Sequence, residues 1–517
     1  MRLYPWQQQC LHAWTNRNYR GIAHVVTGAG KTFLALSAID RYREKYPDAV
    51  VRIVVPTIPL ALQWQTALLH HAESGDDRPG FCGGGAHDSP DQRIMIYIVN
   101  SARAFLPAHI RRSFSLGQHV LLICDECHHY QSPQNRKIFS FLDSARPDSG
   151  LYASLGLSAT PFDIGDSGIL LRSLGPVIFR YDFDAAAADG IVSPFSVCET
   201  AVSFLPEERR AYGQLSLEIG IVLQKLYKAY PYLEALSPDA FLKAVTALAR
   251  EQHMDPSHPA AAYLLLCWKR KDISVLASSR LLCGISLIRQ LPPASRVLIF
   301  SERISQAEAM AAMIRRKLGP VCAVYHSGMT REARNRNMQA FRDGEYRVLV
   351  SCRCLDEGID VPDASVGIVL SGASVPRQRI QRLGRILRRS ADKAAATLYY
   401  LYIQESAEDR CYLPGLESSR SVSLHYSAAE QVFSGELYEY AAAELLRECR
   451  NKGYSDAALK ETRRCLIEGL PRTDYLLPAE ALSALQVQAG TIHERNYFRI
   501  MNQMRQRFSG SEACLKN

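Results

Sequence analysis

The sequence predicts two α/β domains, each a parallel sheet covered by helices on both faces, together with a helical insert and a helical C-terminal region. Three observations predict it. Short β-branched runs alternate with helix-like stretches through residues 1–195, the alternation gives way to helical spacing over 196–279, and it returns over 280–405. At 517 residues with 47% hydrophobic content, the chain exceeds what a single core accommodates.

In residues 1–195 the strand runs are Ile22 to Val26, Val50 to Val55, Ile94 to Val99, Val120 to Cys124 and Tyr152 to Leu157. They are apolar almost throughout, as strands buried on both faces must be. Pro206-Glu207-Glu208 then places Pro and acids in a first helical turn. Leu215, Ile219, Val222, Leu226 and Tyr230 follow at helical spacing, so 196–279 is expected to be a helical insert or linker. Strand runs resume with Arg296 to Phe300, Cys322 to His326, Arg347 to Cys352, Val366 to Leu370 and Thr397 to Ile403. Beyond 405 the strand signal fades. Segments such as Glu436 to Cys449 and Pro478 to Val487 are amphipathic, making 406–517 a helical accessory region.

Composition narrows the function class only slightly. Lysine and arginine outnumber aspartate and glutamate 61 to 52, a formal charge of +9 that suits a polyanionic partner but is modest for a surface this large. The opening Met1 to Trp6 has no apolar stretch behind a basic start, so no secretory signal is expected. No apolar run reaches the ~18 residues of a membrane span. The 14 cysteines are scattered rather than arranged as a framework, and a reducing, cytoplasmic setting without membrane attachment is expected.

The most specific local signal is Thr27-Gly28-Ala29-Gly30-Lys31-Thr32, between the strand ending at Val26 and a helix opening at Phe33. Gly28 and Gly30 let backbone N–H groups curl around phosphates, Lys31 supplies a point charge to the β and γ phosphates, and Thr32 offers a hydroxyl to Mg2+. ATP with Mg2+ is the expected ligand pair. The first glycine of the strict motif is replaced by Val25.

The second signal is Asp125-Glu126-Cys127-His128-His129 at the C-terminal end of an apolar strand, where open α/β sheets gather their ligands. Asp125 is suited to hold Mg2+ through water, and Glu126 to orient the attacking water or accept its proton. Zinc is the rival chemistry, because Cys124, Cys127, His128 and His129 crowd one segment, although no second ligand pair with suitable spacing follows.

Asp125 to His128 resembles the DExH box of superfamily 2 helicases and translocases, and further residues fall where that family needs them. The resemblance implies two RecA-like domains holding ATP between them. Leu3-Tyr4-Pro5-Trp6-Gln7 is similar to the segment whose glutamine reads adenine, implicating Gln7. Ser158-Ala159-Thr160, with His128, matches the elements that couple hydrolysis to grip on nucleic acid. Thr57 beside Pro56, Gln63-Trp64, and Asn100-Ser101 occupy the positions of phosphate-backbone contacts.

A phosphate loop and an acidic pair would equally suit a kinase or a transporter ATPase, so residues 280–405 discriminate. Gln381-Arg382-Leu383-Gly384-Arg385-Ile386-Leu387-Arg388 resembles helicase motif VI, with Arg385 and Arg388 one helical turn apart. Taken alone the run would equally suit a basic solvated helix. The resemblance implies that both arginines offset charge on the γ-phosphate, with Gln381 near the same group. Leu355 to Pro362 resembles motif V, where Gly358 and Asp360 would bridge nucleotide and nucleic acid. Cys352 stands where threonine is common. Val297 to Ser301 and Tyr325 to Gly328 resemble the remaining strand-end motifs, with Ser301 and Ser327 as phosphate contacts.

The resemblance extends over residues 1–405 apart from the insert, and it is nearest to the helicase parts of type I and type III restriction systems and to nucleotide-excision-repair helicases. It implies DNA rather than RNA as track and, in a restriction, phage-defence or repair setting, a partner subunit such as a nuclease or methyltransferase. Only residues 363–380 separate motifs V and VI, which leaves no room for a long strand-separating pin and favours translocation along duplex DNA, or strand separation by an element in the insert or tail. An ATP-operated clamp without processive movement is the alternative, as is an RNA helicase.

Overall fold

The computed structural model describes residues 3–71, 78–143, 150–159, 168–193, 195–251, 253–291, 293–352, 364–371, 396–407, 421–434, 445–451, 453, 455–467 and 474–511. The chain divides into two compact units, one built on Met1–Pro194 and one opening at Phe195.

The first unit is an eight-stranded sheet of β1 (Arg20–Val25), β2 (Val50–Val55), β3 (Gly80–Gly83), β4 (Ala86–His87), β5 (Ile94–Ile98), β6 (Val120–Cys124), β7 (Tyr152–Ser158) and β8 (Val177–Tyr181). Its order is β4-β3-β5-β2-β6-β7-β1-β8, parallel except for the short antiparallel pair β3–β4. Helices α1 (Pro5–Asn16), α2 (Lys31–Lys45), α3 (Ile58–His71), α4 (Val99–Ser115), α5 (Gly168–Leu174) and α6 (Phe183–Ala188) accompany it. Every residue of β2, β5, β6 and β7 is buried, which accounts for the continuous apolar runs. Arg52, in the middle of β2, is the charged exception. Its guanidinium is buried and donates to the carbonyls of Gln92 and Pro90, both at 2.9 Å. No local pattern announces such an arginine.

The second unit holds another eight-stranded sheet, with β9 (Phe195–Val202), β10 (Val297–Ser301), β11 (Cys322–His326), β12 (Val348–Cys352), β13 (Val366–Val369), β14 (Ala396–Ile403), β15 (Ser421–Ser427) and β16 (Val432–Ser434) in the order β11-β12-β10-β13-β14-β9-β15-β16. Two expectations are corrected here. Residues 196–202, expected to begin the helical insert, lie in β9, which pairs with β14 on one side and β15 on the other. The C-terminal region, expected to be helical, contributes the hairpin β15–β16 to the same sheet. Both segments mix polar and apolar residues, and β9 meets β14 and β15 across about two hundred residues of sequence; that long-range pairing stabilises β9 and β15 as strands of this sheet. Buried Ser196, for instance, donates to Thr397 of β14 at 3.3 Å.

The insert itself is helical: α7 (Pro206–Ala229), α8 (Pro238–Glu251) and α9 (Pro259–Leu276) surround a small core of Leu226, Leu233, Val245, Ala249 and Leu264. Pro206 opens α7, while the Glu208 carboxylate accepts the Leu205 amide at 3.0 Å and the Ser278 amide at 2.6 Å, tying the start of α7 to the start of α10 (Ser278–Gln290). Helices α11 (Ile304–Leu318) and α12 (Arg331–Arg342) connect β10, β11 and β12. In the tail, helices Asp456–Ile467, Ala479–Gln488 and Ile492–Ser511 follow, with Leu482, Met501 and Met504 joining the core of the second unit. Among the described residues no helix is long and apolar enough to cross a membrane.

Candidate nucleotide site and its neighbours

All the nucleotide-site residues described in the first unit collect at the C-terminal edge of its sheet. Strand β1 ends at Val25, the chain turns through Gly28 and Gly30, and α2 begins at Lys31. Both glycines are left-handed, with φ of 89° and 97°, a region costly for residues with a Cβ. A side chain at Gly30 would also meet the Gln7 amide nitrogen at 3.1 Å. The loop therefore keeps its backbone N–H groups open for phosphate oxygens at the head of α2. Ala29 is buried, Thr32 lies in the first turn of α2, and the buried Thr27 hydroxyl has no hydrogen-bond partner among the described residues.

Strand β6 delivers the acidic pair to the same edge. Lys31 Nζ lies 3.3 Å from Glu126 Oε1, with both side chains largely buried. Glu126 is left-handed at φ 45°, a conformation costing a non-glycine residue about 1 kcal/mol or more. Its Oε2 is buried and makes no hydrogen bond among the described residues. Asp125 is buried and accepts the Trp64 indole N–H on Oδ2 and the Glu126 amide on Oδ1, both at 2.9 Å. Burial, and then the neighbouring Glu126 carboxylate, raise its pKa. Each Asp125 oxygen keeps one lone pair, so the carboxylate fits a Mg2+ held through water, alongside the Thr32 hydroxyl. Tyr130 secures the strand end by donating to the carbonyls of Val54 at 2.9 Å and Asp125 at 2.8 Å.

Trp64 departs from its expected place. Instead of facing a nucleic-acid backbone, its indole is fully buried and orients Asp125. Only proximity of α3 to the end of β6 reveals that role, since the two residues are 61 apart in sequence.

Gln7 reaches the phosphate loop. Its Oε1 accepts the Tyr4 amide at 2.9 Å and its Nε2 donates to the Gly30 carbonyl at 3.2 Å, leaving one amide N–H for a ligand. His128 Nδ1 is 2.9 Å from Ser158 Oγ and 3.5 Å from Glu126 Oε2, which joins the acidic segment to the end of β7. Ala159 is buried beside this contact, and Thr160 lies outside the described residues. Cys124 and Cys127 lie in the apolar core with their thiols pushed well above their usual range by burial, an environment unlike that of a zinc thiolate.

The expected backbone contacts divide. Thr57 precedes α3 and has a buried hydroxyl without a partner among the described residues, while Asn100 and Ser101 lie in the first turn of α4, Asn100 exposed. In the second unit Ser327 is exposed just beyond β11. Ser301, by contrast, is fully buried; its hydroxyl donates to Gln306 Oε1 at 2.7 Å and to the Arg303 carbonyl at 2.9 Å, so it braces the end of β10 rather than offering itself to phosphate. Cys352 is buried at the end of β12, in register with Ser301. Gly358, Asp360, Gln381, Arg385 and Arg388 lie outside the described residues.

Comparison with known proteins supplies the family. Residues 1–163 match the family of the type III restriction enzyme res subunit, and residues 279–390 match the helicase conserved C-terminal domain. The DNA 3'-5' translocase XPB2 of Sulfurisphaera tokodaii is 30% identical over 401 residues, covering 76% of this chain and 80% of the relative. The DNA 3'-5' helicase XPB of Kineococcus radiotolerans is 24% identical over 413 residues, covering 79% of this chain but 61% of that longer protein. The helicase domain of Hef from Pyrococcus furiosus superposes with a TM-score of 0.54 at 15% identity over 78% of this chain and 97% of that one, a likeness of two-RecA-domain folds. This chain thus belongs to the XPB family of superfamily 2 helicases.

Proposed function

We propose that this chain is an ATP-dependent DNA translocase, with 3'-5' movement as in the names of its relatives. The observation that carries the reading is the convergence of Lys31, Glu126 and Asp125 at one sheet edge, with His128 linking that cluster to Ser158. Lys31 and the N–H groups of residues 28–32 bind the β and γ phosphates, and Gln7 borders them. Glu126 orients water for attack on the γ-phosphorus and takes its proton as the bond to the β-γ bridging oxygen breaks. Asp125, steadied by Trp64, holds Mg2+ with Thr32; bound Mg2+ offsets charge on the phosphate oxygens. Arg385, Arg388 and Gln381 complete the charge compensation, and Gly358 and Asp360 connect nucleotide to DNA.

The link from His128 to Ser158 carries the state of Glu126 toward the segment that grips DNA, so turnover and grip change together. Grip through phosphates at Thr57, Asn100, Ser101 and Ser327 is independent of base sequence and weakens with salt. The match to a restriction-enzyme family supports a role as the motor of a restriction, phage-defence or repair complex with a nuclease or methyltransferase subunit as partner.

Triplex displacement tests the reading. The full chain with ATP is expected to strip a third strand from duplex DNA, and Lys31→Ala is expected not to. DNA-stimulated turnover without displacement would favour an ATP-operated clamp, and turnover indifferent to DNA would overturn both.

A further inference from the structure

The opposite edge of the first sheet carries a second cationic site. A cavity of about 660 Å3 opens between the end of α1, the start of β1, the end of α2 and the segment joining α5 to β8. Its lining includes Arg17, Arg20, Lys45 and Arg172 and, among the described residues, no Asp or Glu. None of the four cations has a carboxylate partner among the described residues. Strand β1 separates this cavity from the phosphate loop by about 20 Å at ~3.3 Å per residue, so the two sites are distinct.

The site is built rather than incidental. Asn18 and Tyr19 are successive left-handed residues, at φ 53° and 58°, a strained conformation for a bulky side chain. The strain turns the chain sharply into Arg20, whose guanidinium is fixed by donation to the Arg172 carbonyl at 2.8 Å and lies 5.4 Å from the Tyr152 ring centre. Its Nε is buried with no partner among the described residues. Gly175, at φ 99°, allows this approach, since a Cβ there would strike the Arg20 backbone at 2.9 Å. Lys45 is held over the rings of Tyr19 at 4.8 Å and Tyr46 at 5.1 Å, which orients the ammonium without neutralising it.

The ring contacts also define the ligand. Tyr46 carries Lys45 on one side and stacks on His119 at 4.0 Å, and Tyr19 is enclosed by Lys45, Trp14 and Tyr42. The cavity therefore offers charge and N–H donors rather than an open face for stacking a base. Its volume exceeds that of a single phosphate and lies in the range of ligand sites of ~300–1,000 Å3. We propose that this cavity binds a run of phosphoryl groups, as a free oligophosphate or as the backbone of a nucleic-acid strand, at a site separate from the nucleotide loop. The site requires neither ATP turnover nor movement, so it stands apart from the function proposed above.

Two arms test it, using the full chain. Inorganic tripolyphosphate is titrated calorimetrically into Lys31→Ala, which removes the charge of the nucleotide loop. It is expected to bind, and to lose at least tenfold in affinity when Arg17→Ser and Arg172→Ser are added. In the second arm duplex DNA binding is followed against salt with Lys31 intact. If the ligand is a strand backbone, the Arg17→Ser/Arg172→Ser protein should show a log–log slope shallower by about 1.8, the loss of two phosphate contacts on duplex DNA. A change in the first arm alone identifies a free oligophosphate. Both side chains are exposed, and unchanged melting confirms the fold; Lys45→Gln provides an independent variant with the same expected direction. Tripolyphosphate affinity and salt slope both unchanged in the variants would overturn the proposal. Failure of DNA to stimulate turnover in the unaltered chain would instead count against the translocase, leaving the tripolyphosphate arm decisive here.

Discussion

The C-terminal edge of the first sheet and the ends of β10 and β13 in the second occupy like places and differ in chemistry. In the first unit the strand ends present Lys31, Asp125 and Glu126, with buried polar atoms on Thr27, Thr57 and Glu126 that find no hydrogen bond among the described residues. In the second unit the ends of β10 and β13 are internally satisfied: Gln306 Oε1 accepts Ser301 and Ser371 at 2.7 Å each, and the Ser371 hydroxyl accepts the Glu302 amide at 3.0 Å. Unsatisfied buried polar groups are costly and require a partner, whereas a closed network makes a rigid support. The difference teaches that a hydroxyl after a strand does not by its position become a ligand contact. Its neighbours decide.

The largest expected effect breaks the reactive edge outright. Glu126→Gln should lower ATP turnover by about 10²–10⁴ while nucleotide binding is retained, measured by steady-state hydrolysis beside a fluorescent-nucleotide titration. Turnover within a few-fold of the unaltered chain would remove Glu126 from its role.

Trp64→Phe keeps an aromatic ring in the core but deletes the donor to Asp125. The Mg2+ concentration giving half-maximal turnover should rise about 10–100-fold, the usual effect of losing a supporting hydrogen bond to a metal ligand. An unchanged Mg2+ dependence would mean that Asp125 needs no such support.

Ser158→Ala tests the coupling between β6 and β7. Loss of one hydrogen bond of about 1 kcal/mol should reduce stimulation of turnover by DNA several-fold, with basal hydrolysis little altered. Equal losses in basal and stimulated rates would assign the His128 contact to chemistry instead.

The smallest effects compare two serines of the second unit. Ser301→Ala should lower stability by about 1–3 kcal/mol, because the Arg303 amide loses its partner and Gln306 Oε1 keeps only Ser371, with no change in DNA affinity. Ser327→Ala should leave melting unaltered and weaken DNA binding by a few-fold at most. Exchange of these outcomes would reverse the assignment of support and contact.

Local sequence was most informative where one short segment contains its own explanation. The glycine turn between β1 and α2 follows from Gly28 and Gly30, and the buried parallel sheet from runs such as Val50–Val55 in which every side chain is buried. The order of Lys31, the acidic pair and Ser158 along the chain pointed to the family only together with the motifs of residues 280–405; the motifs of the first unit lie at strand ends, and strand ends of a parallel sheet meet at one edge.

What the sequence by itself determined is therefore the ATP motor's parts and the sheet that gathers them, since both depend on contacts within a few residues and on apolar periodicity. Tertiary structure alone decided that Phe195–Val202 is a strand of the second sheet, that Trp64 supports Asp125, that Ser371 closes the network of Ser301 and Gln306, and that four cations without a carboxylate partner among the described residues share a cavity at the opposite edge of the first sheet. The physical reason is common to all four. Each depends on a partner supplied by a distant part of the chain, and the free energy of a long-range hydrogen bond, strand pairing or charge cluster belongs to the pair and leaves no periodic mark on either member.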